Sequence, residues 1–339
     1  MTGGTTAPAS GQCFACGEPV SVTDSFCEAC GAELVPILVS TGDNTSRGNC
    51  SFCASSGVAP DGYCESCGRK VPAGRDHVEF DLRTLAGVTD RGVRHHRNED
   101  AMALAVVSSE SGSAAVAVVC DGVSTSARPD EASLVAVRSA ARVLVTAIRT
   151  GEDPVTAAPV AALAAAQAVA ALAGPSGDPP AATFVSAVLT GEAATVCWLG
   201  DSRAYWLASD PASASRQLTT DDSVARELIA AGMAEAEALA SAQAHVVTRW
   251  LGADLRDAAP HVLRFEPPGP GVLLLCSDGL WNYQPDAAGL ADLALPVAAT
   301  DPLRAARALA AFAVDAGGAD NVTVVLAPFP PARSAQGAR

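Results

Sequence analysis

Residues 100–121 read DAMALAVVSSESGSAAVAVVCD and predict the element around which the fold is built. Two apolar runs flank a polar turn, which is typical of an antiparallel hairpin. The centre of this hairpin falls between Glu110 and Ser111, and Asp100 and Asp121 lie equally far from it. Opposite residues of an antiparallel pair have Cβ atoms about 5 Å apart. Two unneutralised carboxylates that close need a cation or a proton.

Similar apolar runs recur along the rest of the chain and alternate with longer stretches of helical period. The runs predict strands because they are nearly continuous, which indicates that both faces of each strand are covered. Short connections between some of them favour antiparallel pairing, so we expect an α+β fold with helices packed on sheets. The predicted strands are 101–107, 114–120, 182–189, 194–200, 271–277 and 321–327, and the predicted helices are 131–149, 155–173, 223–231 and 302–316.

Two further aspartates lie at predicted strand ends. Asp278 follows its strand as Asp121 does, and a glycine after each lets the backbone come close to an ion or its water shell. Asp320 instead precedes its strand, so it reaches the same sheet edge as Asp278 only if the two strands are antiparallel. Each Asp-Gly pair taken alone is more often a plain turn. Oxygen ligands without His or Cys favour Mg²⁺ or Mn²⁺ over Zn²⁺.

The first 70 residues contain an internal repeat of cysteines. Residues 13–30 and 50–67 each read C-x2-C, ten residues, C-x2-C, with a glycine after the last cysteine. In a chain without an export signal, such thiols are better explained by metal than by disulfides. We therefore expect two structural zinc sites of four cysteines each. The predicted ligands are Cys13, Cys16, Cys27, Cys30, Cys50, Cys53, Cys64 and Cys67.

The cysteine pattern leaves the role and the pairing of these sites open. The ions either only stabilise a segment too small to fold alone, or they build a docking site for a partner or for the large domain. Iron also binds four-cysteine sites. Sequential and interleaved pairing of the C-x2-C units both satisfy the spacing.

Bulk composition excludes several classes of function. The formal net charge of -15 and the pI near 4.6 argue against a nucleic-acid binder, which needs clustered Lys and Arg. The first ten residues lack the pattern of a signal peptide, so we expect a cytoplasmic protein. The Ala-rich run 155–174 is short on strong hydrophobes and predicts a packed helix rather than a membrane span.

Eight motifs in this order resemble the metal-dependent protein phosphatase family, the protein phosphatase 2C type. The resemblance covers about residues 80–328 and implies a four-layer αββα sandwich with two metal ions at one end. It implies a bacterial-type Ser/Thr phosphoprotein phosphatase. The motifs are TDRGVRHHRNEDA (89–101), CDGVS (120–124), TFVSAVL (183–189), LGDSRAYWL (199–207), LTTDDS (218–223), VVTRWLG (246–252), LLCSDGLWN (274–282) and GGADNVTVVL (317–326).

The resemblance also implies roles for individual residues. The metal-ligating aspartates of the family match Asp100, Asp121, Asp278 and Asp320, and the glycine that offers its carbonyl matches Gly122. Asp201 matches the position of a third, weaker ion, although a strand-end turn with Arg203 pairing locally explains it equally well. Glu99 is expected to orient metal-bound water or neighbouring side chains.

The mechanism implied is in-line attack of metal-activated water on phosphorus at two Mn²⁺ or Mg²⁺ ions, without a phosphoenzyme. Cys120, Cys197 and Cys276 lie inside apolar runs and are expected to be core thiols rather than nucleophiles.

Three departures from the family pattern affect the details. The phosphate-gripping arginine of the family aligns with His95, so Arg94 is the first candidate for that role, followed by Arg97 and His95. The alternative for Arg94 is a solvated loop charge. The chain after Gly122 lacks the histidine of eukaryotic relatives, which leaves leaving-group protonation to solvent, His95 or His96. Asn282 replaces an acidic residue, which should weaken a third ion.

These patterns give a domain plan and a competing function. We expect a disordered N-terminus (1–12), a double zinc ribbon (13–72), a linker (73–79), the phosphatase domain (80–328) and a disordered tail (329–339). The expected partners are phosphoserine and phosphothreonine proteins, a Ser/Thr kinase and its substrates, with no nucleic acid or membrane, and the chain is expected to be a monomer. The alternative is a catalytically weakened phosphatase fold that acts as a scaffold through the zinc ribbons.

Overall fold

A computed structural model of the chain describes residues 10–12, 18–21, 28–29, 37–41, 55–57, 59, 63–68, 74–109, 112–174, 179–191, 193–253 and 259–330. Its strands are β1 (Ser10–Gln12), β2 (Pro19–Ser21), β3 (Leu38–Val39), β4 (His77–Asp81), β5 (Ala86–Asp90), β6 (Asp100–Ser109), β7 (Gly112–Asp121), β8 (Ala181–Ala182), β9 (Phe184–Leu189), β10 (Ala194–Leu199), β11 (Arg203–Ala208), β12 (Arg216–Gln217), β13 (Leu251–Gly252), β14 (His261–Phe265), β15 (Gly271–Cys276) and β16 (Val322–Phe329). Its helices are α1 (Pro129–Arg149), α2 (Pro154–Ala170), α3 (Val224–Ala230), α4 (Glu235–Leu239), α5 (Asp278–Trp281), α6 (Ala287–Ala298) and α7 (Pro302–Asp315), and a 3-10 turn covers Gly74–Asp76. In the described part of the chain, no helix combines the length and the apolar character that a membrane span requires.

The strands build two stacked antiparallel sheets. Sheet I has the order β14-β10-β9-β7-β6-β3, and sheet II has the order β12-β11-β15-β16-β5-β4. Helices α1 and α2 cover the outer face of sheet I, while α6 and α7 cover the outer face of sheet II. Side chains from the two inner faces form a third apolar cluster between the sheets. This is the αββα arrangement that the resemblance implied.

Strand β6 shows why the apolar runs in the sequence are continuous. Ala101 and Ala103 pack with the helices of the outer layer, and Met102 and Leu104 pack with the other sheet. Because successive side chains point to opposite faces, a strand covered on both sides needs apolar residues at every position. The small alanines lie on the helix side, where α1 approaches closely.

The central hairpin has the predicted register. Strands β6 and β7 pair from Ser109 opposite Gly112 to Asp100 opposite Asp121. Strands β15 and β16 are antiparallel, with Cys276 opposite Val324. Asp320 and Asp278 can therefore reach the same sheet edge, which requires their strands to be antiparallel.

Several predicted boundaries differ from the structure. The run 182–189 is not one strand, because the backbone N–H of Thr183 donates to the carbonyl of Asp121 at 2.8 Å and divides β8 from β9. Strand β8 then pairs with β13 instead. Helix α2 ends at Ala170 rather than at residue 173. The sequence did not predict β4, β5, β11, β14 or α6, because these elements are short, carry charged residues or contain Gly289 and Pro296.

The N-terminal boundaries need correction as well. Ser10–Gln12 was predicted to be disordered but forms a strand against Pro19–Ser21. The predicted linker 73–79 contains a 3-10 turn and the start of β4, which is fixed by pairing with β5. The predicted disordered tail 329–339 begins too early, because Phe329 ends β16 and pairs with Gly271. Residues 1–9 and 331–339 lie outside the described residues, as do six of the predicted zinc ligands, Cys13, Cys16, Cys27, Cys30, Cys50 and Cys53.

Candidate metal centre

Four aspartates predicted as metal ligands lie at one end of the two sheets. Asp100 begins β6 and Asp121 ends the neighbouring β7. Asp278 begins α5 directly after β15, and Asp320 lies two residues before β16. Since β15 and β16 are antiparallel, the end of one and the start of the other share this end of sheet II. The fold therefore brings the four aspartates to the same end of the sandwich from distant parts of the sequence.

The carboxylate of Asp100 is the most deeply buried of the four. Its Oδ2 accepts hydrogen bonds from the hydroxyls of Ser277 and Thr323, each at 2.7 Å. Its Oδ1 is buried and has no hydrogen-bond partner among the described residues. Burial raises the pKa of Asp100 to about 7, and the charges of Asp320 and Asp278 add to this effect against the two hydroxyl bonds.

The other three carboxylates also have raised pKa values. Burial and the charge of Asp100 place the pKa of Asp121 well above its usual range. Burial and the charge of Asp320 raise the pKa of Asp278 to about 6. The Oδ1 of Asp278 is a second buried oxygen without a hydrogen-bond partner in the described part of the chain. Burial also raises the pKa of Asp320, which contacts His95 Nε2 through Oδ1 at 3.1 Å.

The donor set fits hard divalent cations. Within the described ranges, no group of three His, Cys, Asp or Glu side chains is arranged so that it could already hold a metal ion. The two buried, unpaired carboxylate oxygens of Asp100 and Asp278 nevertheless lack any partner that would offset their burial. A cation at this edge would supply one, and an all-oxygen donor set is the kind that Mg²⁺ and Mn²⁺ prefer.

Gly122 lies where the backbone after β7 meets the start of α1. A Cβ atom at this position would come within 2.3 Å of the carbonyl oxygen of Pro129. The amide of Gly122 donates to the carbonyl of Glu99 at 3.2 Å, which fixes it beside the start of β6. Any larger residue would push α1 away from the carboxylates.

The loop before β6 carries the candidate phosphate-binding residues. Arg94 is exposed and makes no ion pair with any described residue, although its amide donates to the carbonyl of Gly318 at 3.3 Å. Arg97 is engaged with Glu99 at 3.0 Å and with Asp130 at 3.5 Å. His95 faces Asp320, and His96 is exposed.

Glu99 is buried and held from several sides. Its carboxylate accepts from Arg97 and from the hydroxyl of Ser124, and its amide donates to Asn321 Oδ1 at 2.7 Å. The side chain of Asn321 also donates to the carbonyls of Arg91 and Arg97 at 2.8 and 3.1 Å. The loop is thus fastened to the residue that follows Asp320.

Asp201 is buried near the same end of the molecule. Burial, followed by the charge of Asp278, places its pKa well above the usual range. Arg203 does not pair with Asp201 as one interpretation expected. It makes a bidentate pair with Asp221 at 2.7 and 2.9 Å and lies 3.7 Å from the centre of the Trp281 ring. Trp281 Nε1 in turn donates to the carbonyl of Asp201 at 2.9 Å.

Three thiols close to this region are unsuited to nucleophilic attack. Cys120, Cys197 and Cys276 are buried in strands. Burial raises the pKa of Cys197 to about 12 and places the pKa of Cys120 and Cys276 well above the usual range. A thiol with such a pKa stays protonated near neutral pH and is a poor nucleophile.

Sequence reasoning missed three residues that hold the carboxylates in place, namely Ser277, Thr323 and Asn321. Their signal was a polar residue inside or beside an apolar run, as in NVTVVLA and LLCSDG. Such residues usually read as ordinary strand or turn positions. Only the pairing of β15 with β16 places their side chains against Asp100 and the 91–99 loop.

Comparison with known proteins gives consistent matches. The model of a family described as protein phosphatase 2C matches residues 91–312. The serine/threonine phosphatase stp of Listeria innocua is 30% identical over 148 residues, which are 41% of this chain and 53% of the relative. The match thus spans about half the length of that curated relative.

Solved structures match over a larger part of the chain. The PPM Ser-Thr phosphatase MsPP from Mycobacterium smegmatis, in complex with cacodylate, is 29% identical with a TM-score of 0.58, covering 73% of this chain and 99% of that one. The catalytic domain of the serine threonine protein phosphatase PstP, in complex with two manganese ions, is 25% identical with a TM-score of 0.57, covering 72% of this chain and 96% of that one.

Proposed function

The chain belongs to the protein phosphatase 2C family, and from this premise we propose that it hydrolyses phosphoserine and phosphothreonine in proteins with two Mn²⁺ or Mg²⁺ ions. The observation that carries the proposal is the cluster of raised-pKa carboxylates at one end of the sandwich, with buried unpaired oxygens on Asp100 and Asp278. Ionisation of such a cluster is unfavourable without a cation, and perturbed pKa values of this kind are typical of functional sites.

We assign the ions to Asp100, Asp121, Asp278 and Asp320, with the carbonyl of Gly122 as a further ligand. When bound, two such ions supply an activated water for in-line attack on phosphorus and neutralise charge on the phosphate. Ser277 and Thr323 hold the Asp100 carboxylate in one orientation. Glu99, fixed by Arg97 and Ser124, is placed to orient neighbouring groups.

Asp201 is the proposed ligand of a third ion. The burial of Asp201 and the effect of the Asp278 charge on its pKa support this assignment. Asn282 donates to Asp278 Oδ2 at 3.2 Å, and it leaves the site one carboxylate short of the family pattern. We expect this ion to bind more weakly than the other two.

No covalent phosphoenzyme is part of the proposal. The three strand cysteines are protonated and buried, so none is available as a nucleophile. The proton for the leaving alkoxide comes from solvent or from the histidines of the 91–99 loop, of which His96 is exposed.

Hydrolysis of p-nitrophenyl phosphate and of a phosphothreonine peptide, with and without Mn²⁺, tests the proposal. Asp278→Asn should lower kcat/KM at least about 100-fold, since even outer partners of metal ligands are worth about 10- to 100-fold. Asp292→Asn on α6 is the matched control, because Asp292 is exposed and should retain full activity. Equal activity of Asp278→Asn and wild type refutes the metal assignment.

The same assay separates the enzyme from the scaffold alternative. A catalytically weakened scaffold shows no Mn²⁺-dependent hydrolysis above the level of Asp278→Asn. The described residues favour the enzyme, because all four aspartates reach one sheet end.

We propose that the N-terminal cysteines bind two structural zinc ions. In the described residues, two backbone hydrogen bonds flank Cys64: the amide of Ala59 donates to the carbonyl of Tyr63 at 2.8 Å, and the amide of Glu65 donates to the carbonyl of Gly57 at 2.9 Å. Cys67 lies in the turn that follows. Gly68 follows with φ of +72°, a conformation that closes the turn after a C-x2-C pair. These features support a metal-binding turn.

The zinc content of the purified protein tests this second proposal. The purified chain should contain about two zinc ions, one for each set of four thiolates. A variant with all eight N-terminal cysteines changed to serine should lose them, while the three strand cysteines serve as the internal control. Unchanged zinc in that variant refutes the ribbon.

A further inference from the structure

The segment that contains the second cysteine repeat, residues 42–73, follows a strand that pairs with β6, the strand that begins with Asp100. Leu38 and Val39 form β3, which pairs with Leu104 and Ala103 of β6 at the edge of sheet I. Ser40 continues the contact, because its amide donates to the carbonyl of Met102 at 3.1 Å and its hydroxyl accepts from the amide of Met102 at 3.0 Å. The segment 42–73 therefore departs from a point two residues along β6 from Asp100.

The same segment ends at the same place. Arg75, in the 3-10 turn that follows it, donates from one guanidinium nitrogen to the carbonyl of Asp100 at 3.3 Å. The other nitrogen donates to the carbonyl of Asp130, at the start of α1, at 3.0 Å. The carbonyl of Arg75 accepts from Asn98 at 3.1 Å. Both ends of a 32-residue segment are thus attached to residues 98–102.

Arg75 joins a chain of charged groups around the carboxylate cluster. Asp130 lies between two arginines, with Arg75 at 3.9 Å and Arg97 at 3.5 Å from its carboxylate oxygens. Arg97 leads on to Glu99. Arg75 is mostly buried, with 21% of its side chain exposed, so it is not placed to touch a phosphoprotein substrate. Its contacts are with the backbone that positions the metal end.

From this geometry we propose that Arg75 is a positioning residue that holds the start of β6, and with it Asp100, in place relative to the start of α1. The proposal rests on the proposed function, since it assigns Asp100 to a metal ion. The planar guanidinium fixes two acceptors in one geometry, so it sets the start of β6 relative to the start of α1.

Mn²⁺ binding by isothermal titration calorimetry on the full chain tests the positioning role. Arg75→Met should weaken Mn²⁺ binding by about 10-fold, the scale of outer-shell changes, while kcat at saturating Mn²⁺ stays within about twofold of wild type. The Mn²⁺ affinity of Arg75→Lys should fall between those of wild type and Arg75→Met, since an ammonium lacks the planar fork of a guanidinium. Arg264→Met removes the same charge from β14, which three strands separate from β6, and should leave Mn²⁺ binding unchanged.

Unchanged Mn²⁺ affinity in Arg75→Met, or in Arg75→Lys if the methionine variant does not fold, overturns the positioning role alone. Absence of Mn²⁺ binding by the wild-type chain overturns the proposed function as well.

Discussion

The hydroxyl of Thr323 donates a hydrogen bond to Asp100 Oδ2 at 2.7 Å, and this bond joins the two sheets at the metal end. Thr323 lies in sheet II and Asp100 in sheet I. An ionised carboxylate only accepts, so the Thr323 hydroxyl is the donor here and must accept from Thr89, 2.7 Å away. The hydroxyl of Thr89 accepts in turn from the side-chain amide nitrogen of Asn98 at 2.9 Å. The carboxylate is therefore oriented by a continuous chain of buried donors.

Thr323→Val removes the hydroxyl with almost no change in volume. We expect Mn²⁺ binding to weaken about 10- to 100-fold, because Asp100 keeps only Ser277 as a hydroxyl donor. Thr195→Val is the matched control, because Thr195 is buried in β10 at the opposite end of sheet I. Calorimetric titration of both variants measures the difference. Equal Mn²⁺ affinity in the two would show that the bond does not position the ligand.

Gly279→Ala tests how closely α5 approaches β16. An added Cβ would lie 1.9 Å from the carbonyl oxygen of Asn321, which is backbone and cannot rotate away. Overpacking of this kind costs about 1–3 kcal/mol, and the displacement should also separate Asp278 from Asp320. Urea unfolding gives the free energy change, and Gly269→Ala, which meets no atom within 4 Å, is the control. A stability equal to that of the control contradicts the expected clash.

His77 predicts a dependence of stability on pH. Burial disfavours the charged imidazole, but hydrogen bonds with Asp90 at 2.7 Å and Glu79 at 3.0 Å outweigh it and raise the pKa of His77 to about 9. A pKa raised above the unfolded value of about 6.5 gives stability that is fully present below pH 6.5 and is lost as the pH rises through 9.

The stability lost in this window is about 3 kcal/mol at most. Thermal unfolding of wild type should show a falling midpoint between pH 6.5 and 9, whereas His77→Gln should be less stable at pH 6.5 and should fall less across that window, because the buried carboxylates titrate equally in both proteins. Parallel curves for the two proteins would remove His77 as the titrating group.

Arg94 and Arg97 differ in their ion-pair partners, so mutation can distinguish their roles. Arg94→Ala should raise KM for a phosphopeptide about 10-fold or more, since a hydrogen bond to a charged group is worth about 1.5–3 kcal/mol. Thermal stability should not change, because Arg94 is exposed and makes no ion pair with the described residues. Arg97→Ala removes the pairs with Glu99 and Asp130 and should lower Mn²⁺ affinity more than substrate affinity. The reverse pattern would assign phosphate binding to Arg97.

Much of the sandwich could be predicted from local pattern. The continuous apolar runs predicted β6, β7, β10, β15 and β16 to within two residues at each end, because strands covered on both faces must be apolar throughout. Short strands with charged residues, such as β4 and β14, carry no such signal. Their place in a sheet is decided by neighbours that lie far away in the sequence.

The sequence by itself determined the opposition of Asp100 and Asp121, because a hairpin register follows from counting residues about its turn. It also determined which residue types could bind a metal. Only the tertiary structure decided that Thr323 and Ser277 orient Asp100, and that the Arg75 side chain donates to the Asp100 carbonyl. The physical reason is that these contacts join different sheets or distant segments, and their geometry depends on how the layers pack rather than on spacing along the chain.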